Sequence, residues 1–339
     1  MRKFNAENER VKRDYIDYLR HADGKSEASV DKIAAALIRF EESTGFKPFK
    51  NFHIEQAKAF KRNLERLRNP ITGEPLSVAT RSATLRLVKA FFKWLAFRPG
   101  YRSKINPADA EYFNLTAKDE AVAHASWEKP FPSMQQALHA FRNIPDVAIT
   151  DRRNKALFAL LLMTGMRGAA LGSLKMRNVD IIEGQIYQDA RDMNTKASKS
   201  FLTVLCPVAD DVRHCFDDWT MHLRDVALLS PTDAVFPQTA VAAVKGQGFQ
   251  VTGLSRSPWS TTAPIRRIVG DAFENVGFLR FGPHTLRKTL EQWGSRKYKS
   301  PEAFKAFSQN LGHEHVLTTF TSYGVVSPRR QAEIIRGDD

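Results

Sequence analysis

A break about a third of the way along the chain most constrains what it can fold into. Over residues 97–133, FRPGYRSKINPADAEYFNLTAKDEAVAHASWEKPFPS, apolar periodicity stops, and Pro99, Gly100, Pro107, Pro130 and Pro132 punctuate the run. Proline lacks the N–H that a ladder needs and glycine loosens the backbone, so no long helix or central strand is expected to cross this stretch. With 339 residues, the chain has enough length for two separate cores. The expected division is a helical part at 1–115, a linker at 116–132 that lets the halves close around a common partner, and a second part at 133–339.

Before the break the pattern is helical. One helix is expected from Glu7 to Arg20, ending near Gly24, and a second after Ser29, with Ile33, Leu37 and Phe40 on one stripe until Gly45. The third, HIEQAKAFKRNLERLRNP, sets Ala57, Phe60, Leu64 and Leu67 against Lys58, Lys61, Arg62 and Arg66. The fourth, SVATRSATLRLVKAFFKWLAF, begins at the cap Ser77 and buries Leu85, Val88, Phe91, Phe92 and Leu95, leaving Arg81, Ser82 and Arg86 for its outer face. After the break the pattern is mixed. The apolar helix KALFALLLMTG ends at Gly165, and IIEGQIYQDARDMNTKASKSFLTVLCP alternates around turn signals, as about three antiparallel strands would. Helices are expected again over 208–228, over 262–276, from Pro283 and through PEAFKAFSQNLG.

The formal charge is +14, with 24 basic and 16 acidic side chains in residues 1–120 and 27 against 21 in the rest. Two basic halves suit a partner that runs past both, and a phosphate backbone is the commonest such partner. No apolar run approaches membrane length, and MRKFNAENER lacks the apolar core of a secretion signal, so a cytoplasmic protein with no membrane partner is expected. Cys206 and Cys215, with His214 alongside, fall short of a ligand set; reduced thiols and no metal are expected.

In FGPHTLRKTL, at 281–290, Pro283 fits the first turn of a helix and sets His284 and Arg287 one turn apart on one face. Alone, such a pair caps or salt-bridges a structural group. Three further fragments give it company. TGMRGAALGSL places Arg167 at a turn after the apolar helix, TKASKSF carries Lys196 and Lys199 around a tight strand turn, and LGHEHVLTTFTSYG holds His313, His315 and Tyr323.

Those fragments, in that order, resemble the tyrosine recombinase family, the phage integrases and their relatives. The resemblance spans the whole chain. It implies a mainly α fold with a small antiparallel β-sheet, in which a helical SAM-like core-binding domain precedes an α+β catalytic domain. It implies Arg167, Lys196, His284, Arg287, His313 and Tyr323 as catalytic residues. The LGH signature selects His313 over His315, and the first lysine of TKASK matches the family's hairpin. A double-stranded DNA recombination site would be the partner, cut through a 3'-phosphotyrosyl link with a free 5'-hydroxyl. Four protomers would act on two DNA sites without cofactor or metal, integrating, excising or transposing mobile DNA at a prokaryotic nucleoid. Ile334 and Ile335 in the tail would pack on a neighbouring subunit.

The chemistry explains the residue types. Attack at phosphorus gathers negative charge on the phosphoryl oxygens, so fixed cations count most there. Arg167 and Arg287 offer planar forks to those oxygens, and His313 a further donor. Tyr323, ordinarily protonated at neutral pH, must lose its proton as it attacks, with His284 as acceptor, and Lys196 supplies the proton that the departing 5'-oxygen needs. In the helical half, Arg81, Ser82 and Arg86 are expected in a groove and Lys58, Lys61 and Arg62 on phosphates.

Two features depart from the family pattern. Ala170 stands three residues after Arg167, where many members carry an acid, and the interval from His313 to Tyr323 is one residue longer than usual. Type IB topoisomerases share the Arg, Lys, Arg, His, Tyr set and remain an alternative, as does a DNA-binding regulator that has lost catalysis.

Overall fold

The structure, a computed structural model, describes residues 4–70, 72–124, 130–195, 199–244 and 248–313. It divides into two compact units, Met1–Trp127 and Glu128–Asp339.

The first unit is helical: α1 (Ala6–His21), α2 (Glu27–Thr44), α3 (Ile54–Arg66), α4 (Val78–Leu95) and α5 (Ala117–His124), with 3-10 segments at Phe49–Asn51 and Pro107–Phe113. Local chemistry sets the ends. The Asn5 side chain accepts from the N–H groups of Glu7 and Asn8, Ser77 accepts from Thr80, and Gly45 closes α2 in the left-handed region. α2 starts three residues before the expected point, with Ser26 as its N-cap. A cluster of phenylalanines fills the core: Phe52 stacks on Phe92 with centroids 3.9 Å apart, and Phe40 meets Phe60 edge-on at 5.2 Å. Beside it, buried Glu41 accepts from Asn8 at 3.0 Å and from Lys12 at 2.6 Å, tying α1 to α2. Residues 117–124, expected within the linker, form α5 instead, which packs along α4.

The second unit runs α6 (Met134–Arg142), α7 (Ile149–Thr164), α8 (Gly168–Gly172), β1 (Val179–Asp180), β2 (Gln185–Gln188), β3 (Phe201–Val204), α9 (Asp210–Asp225), β4 (Thr239–Val244), β5 (Gly248–Leu254), α10 (Ala263–Glu274), α11 (Pro283–Lys297) and α12 (Pro301–Asn310). From Ala156 to Thr164, α7 is buried on all sides, because no stripe of its sequence is polar. α9 and α11 pack along it. β1, β2 and β3 form the expected antiparallel sheet in that order, with Ile186 opposite Thr203 and Gln188 opposite Phe201. β4 and β5 form a second antiparallel hairpin that the sequence pattern does not announce.

Candidate active site

The site is assembled where three helix ends meet. α7 stops at Gly165, whose φ of 58° is left-handed, and Thr164 tightens the turn by bonding its hydroxyl to Leu160 O while accepting from the Met166 N–H. A side chain at 165 would be doubly penalised: beyond the φ, its Cβ would sit 3.2 Å from Arg287 Cγ. Buried Met166 anchors the next step, and Arg167 follows half-buried at the N-cap of α8.

α11 starts at Gly282 and Pro283, as expected, and buries Leu286 and Leu290 on one side. On the adjoining face His284, Arg287 and Glu291 follow one another at intervals of about a turn, running from solvent into the interior. Arg287 is only 5% exposed. Its Nε donates to Glu291 Oε1 at 3.2 Å, Nη1 to Gly165 O at 2.9 Å, and Nη2 to Leu311 O at 2.7 Å and His313 Nε2 at 2.6 Å. A guanidinium has no acceptor, so Nε2 of His313 must accept, and the ring is neutral with its proton on Nδ1. Among the described residues, Arg287 therefore keeps one Nη1 N–H uncommitted, fewer donors than the two-pronged grip expected from its chemistry. Burial drives its pKa down to about 10, with Glu291 opposing and Arg167 reinforcing the shift, so it stays charged at neutral pH.

His313 is delivered by the end of α12. Gly312 turns the chain at φ 71°, where a Cβ would strike the Phe201 ring, and the His313 N–H returns to Ser308 O at 3.1 Å. Asn310 fastens this end to the sheet: its Oδ1 accepts from Val204 N at 2.6 Å and its Nδ2 donates to Val204 O at 2.9 Å. From the other side, Asn194 N donates to Ser173 Oγ at 2.8 Å, holding the loop between β2 and β3 to the segment that carries Arg167.

Arg167, Arg287, His284 and His313 thus share one locality. The Arg167 side chain makes no hydrogen bond among the described residues; burial lowers its pKa while the Glu291 charge raises it. His284 is exposed at the mouth, and its pKa falls below the ordinary 6.5 through partial desolvation; Glu291 opposes, while Arg287, Lys288 and Arg167 add to the fall. Lys199 lines one cavity of about 420 Å³ with Phe201, Gln309, Asn310 and His313. Lys196, His315, Tyr323, Ile334 and Ile335 lie outside the described residues.

Sequence reasoning missed Glu291, which is 4% exposed and lies 3.6 Å from His313 Nε2. Its signal was the four-residue interval from Arg287 on a helix whose neighbouring positions are apolar. Ala170 is buried in the apolar core.

In the first unit, the proposed DNA contacts divide. Arg62 and Arg86 are exposed, as expected. Arg81 is not on an outer face: it follows the apolar stripe, sits half-buried and pairs with Glu65 at 3.6 Å. Ser82 is half-buried against Glu120, Lys61 donates to Asn114 O at 2.7 Å, and Lys58 pairs with Glu55 at 2.8 Å. Burial pushes Cys206 and Cys215 up to about 11, and both are free thiols. Among the described residues no cluster of His, Cys, Asp and Glu fits a metal ion, and no helix is long and apolar enough to cross a membrane.

A family model described as the phage integrase family matches residues 133–329. A lambda integrase dimer bound to a COC' core site shares the fold at TM-score 0.63 and 11% identity, over 94% of this chain and 97% of that one. XerH site-specific recombinase bound to palindromic difH substrate does so at TM-score 0.61 and 17% identity, over 94% and 83%. The Tn1549 transposon integrase in complex with transposon right end DNA gives TM-score 0.59 and 15% identity, over 97% and 99%. No curated protein matches the chain.

Proposed function

The chain belongs to the phage integrase family of tyrosine recombinases, and from that premise we propose that it is a site-specific recombinase that cuts and rejoins double-stranded DNA through a covalent 3'-phosphotyrosine. The observation that carries the reading is the convergence of Arg167, Arg287, His284 and His313 from three helix ends, with Arg287 bonded at once to the carbonyl before the Arg167 turn, the α12 end and His313.

In the proposed reaction the Tyr323 phenolic oxygen forms a bond to phosphorus as the bond from phosphorus to the 5'-oxygen breaks. The phenol proton passes to His284, whose depressed pKa keeps it neutral and able to accept. Lys196 gives a proton to the departing 5'-oxygen; Lys199, beside His313, is the alternative donor. Arg167, whose fork is uncommitted among the described residues, takes the phosphoryl oxygens most directly, Arg287 adds its remaining N–H, and His313 offers Nδ1–H. The ester energy stays in the phosphotyrosine, so a 5'-hydroxyl from a second duplex reverses the step without a cofactor. Four protomers on two DNA sites, acting on mobile DNA, complete the proposal. Arg62 and Arg86 of the helical unit contact the duplex, and the DNA held by the lambda, XerH and Tn1549 proteins supports DNA as the partner.

The test is covalent capture. Nicked duplexes of randomised sequence are incubated with the protein, and DNA retained on a denaturing gel is sequenced to define the site. Retention by the wild type and its loss in Tyr323→Phe are expected. An adduct that survives in Tyr323→Phe moves the nucleophile elsewhere, and no adduct from any duplex leaves a DNA-binding regulator. Exchange between two captured sites, against relaxation of one plasmid, separates recombination from topoisomerase action.

A further inference from the structure

Glu291 takes no part in the steps above, yet it is the acid around which the cage is arranged. Its carboxylate is buried, which costs free energy unless cations repay it. Arg287 Nε donates to it at 3.2 Å, His313 Nε2 lies 3.6 Å away, and its charge acts on Arg167 and His284 as well. The first turn of α8, at Ala170, offers only a buried methyl group.

We propose that Glu291 is the positioning residue of this site, holding the Arg287 fork in plane and balancing the cluster of bases until a DNA phosphate takes over that charge. The inference rests on the strand-cleavage reading. The bond to Nε fixes rotation of the guanidinium about its Cδ–Nε bond. That rotation decides whether Nη1 reaches Gly165 O while Nη2 spans Leu311 O and His313. Two arginines from separate segments in one locality also repel one another, and a single buried carboxylate between them lowers that repulsion in the DNA-free protein.

The two roles give a signature that simple loss of structure does not. Removing the negative charge leaves the cage more positive, so ground-state attraction for DNA phosphate is retained or strengthened. The arginine fork, its Nε then held by a neutral amide oxygen that accepts more weakly than a carboxylate, is aimed less well at the charge that develops during attack. Binding and chemistry should therefore separate.

The experiment uses the duplex captured by the wild type and compares the full-length wild type with Glu291→Gln, which keeps the side-chain volume and an acceptor oxygen. Single-turnover cleavage and the half-saturating DNA concentration are measured together with thermal unfolding. Cleavage should slow by about 10- to 100-fold, with half-saturation unchanged or at lower DNA. Cleavage at the wild-type rate overturns the proposal, as does slower cleavage accompanied by weaker DNA binding. If the amide variant does not fold, Glu291→Asp decides by the same two constants, with slower cleavage at unchanged DNA binding expected. A wild type that forms no adduct fails before any variant is compared; that result sinks the strand-cleavage reading and this inference with it.

Discussion

Both units carry an excess of basic residues and answer many of them with surface carboxylates, in the second unit Arg142 with Asp211 and Arg280 with Asp271, but the second also gathers two arginines around one buried acid. In the helical unit many of the bases are answered by carboxylates at the surface: Glu111 accepts from both Lys89 and Lys93, which holds its carboxyl down at about 2, and Arg20, Lys50, Lys58 and Arg81 pair with Glu27, Glu7, Glu55 and Glu65. In the second unit two arginines from distant segments lean on one buried acid. Exposed pairs contribute little to stability and are screened by salt, whereas a buried cation bound to several backbone carbonyls sets both the fold and the field at the site. Net charge alone does not distinguish these cases; burial and partner number do.

The largest test of that contrast is Arg287→Lys. An ammonium has three donors in place of the fork and cannot span Glu291, Gly165 O, Leu311 O and His313. Cleavage of captured DNA should fall by about 10³-fold, and chemical denaturation should show a loss of about 3 kcal/mol. Arg167→Lys is the sharper partner experiment, because the guanidinium of this arginine hydrogen-bonds to no described residue. Cleavage should fall by about 10²-fold with stability changed by under about 1 kcal/mol. Equal stability losses in the two variants would erase the distinction between a committed and an uncommitted fork.

At the mouth of the cage, His284 must be neutral to accept a proton. Its folded pKa lies below 6.5, so single-turnover cleavage should be full above that pH and decline as pH falls through the folded value. In His284→Gln this acid limb should vanish from the pH profile at a lower overall rate. The surface gives smaller effects. Arg86→Ala should weaken DNA binding by about fivefold near physiological salt and reduce the salt slope by about one unit. Lys61→Ala, whose ammonium is occupied by Asn114 O, should change DNA affinity by less than about twofold, and an effect as large as that at Arg86 would mean that internal pairing does not decide which bases reach DNA.

Much of this was legible in the sequence, and the exceptions have physical causes. α4 and α7 are written plainly, one by Ser77 and an apolar stripe, the other by unbroken apolar residues ending in glycine. Arg81 was misplaced because its charge outweighed its position: it falls four residues before Leu85 and seven before Val88, on the buried stripe. The β4–β5 hairpin escaped because Val241, Phe249 and Val251 are all exposed, so the in-and-out alternation that marks a half-buried strand is missing. α5 escaped because its apolar and polar residues follow no stripe. The basic members of the site could be named from order and type, but Glu291 could not, since its role exists only once Arg287 and His313 are brought beside it.

β3 lies at the edge of its sheet, and a bare edge is a template on which another chain can add a strand. At Val204 that template is already taken, because the Asn310 amide fills both the donor and the acceptor positions that an incoming strand would use. One asparagine thereby joins catalysis to solubility: a variant such as Asn310→Leu would loosen the segment that aims His313 and also uncover an adhesive backbone edge, so lost activity and aggregation should arrive together.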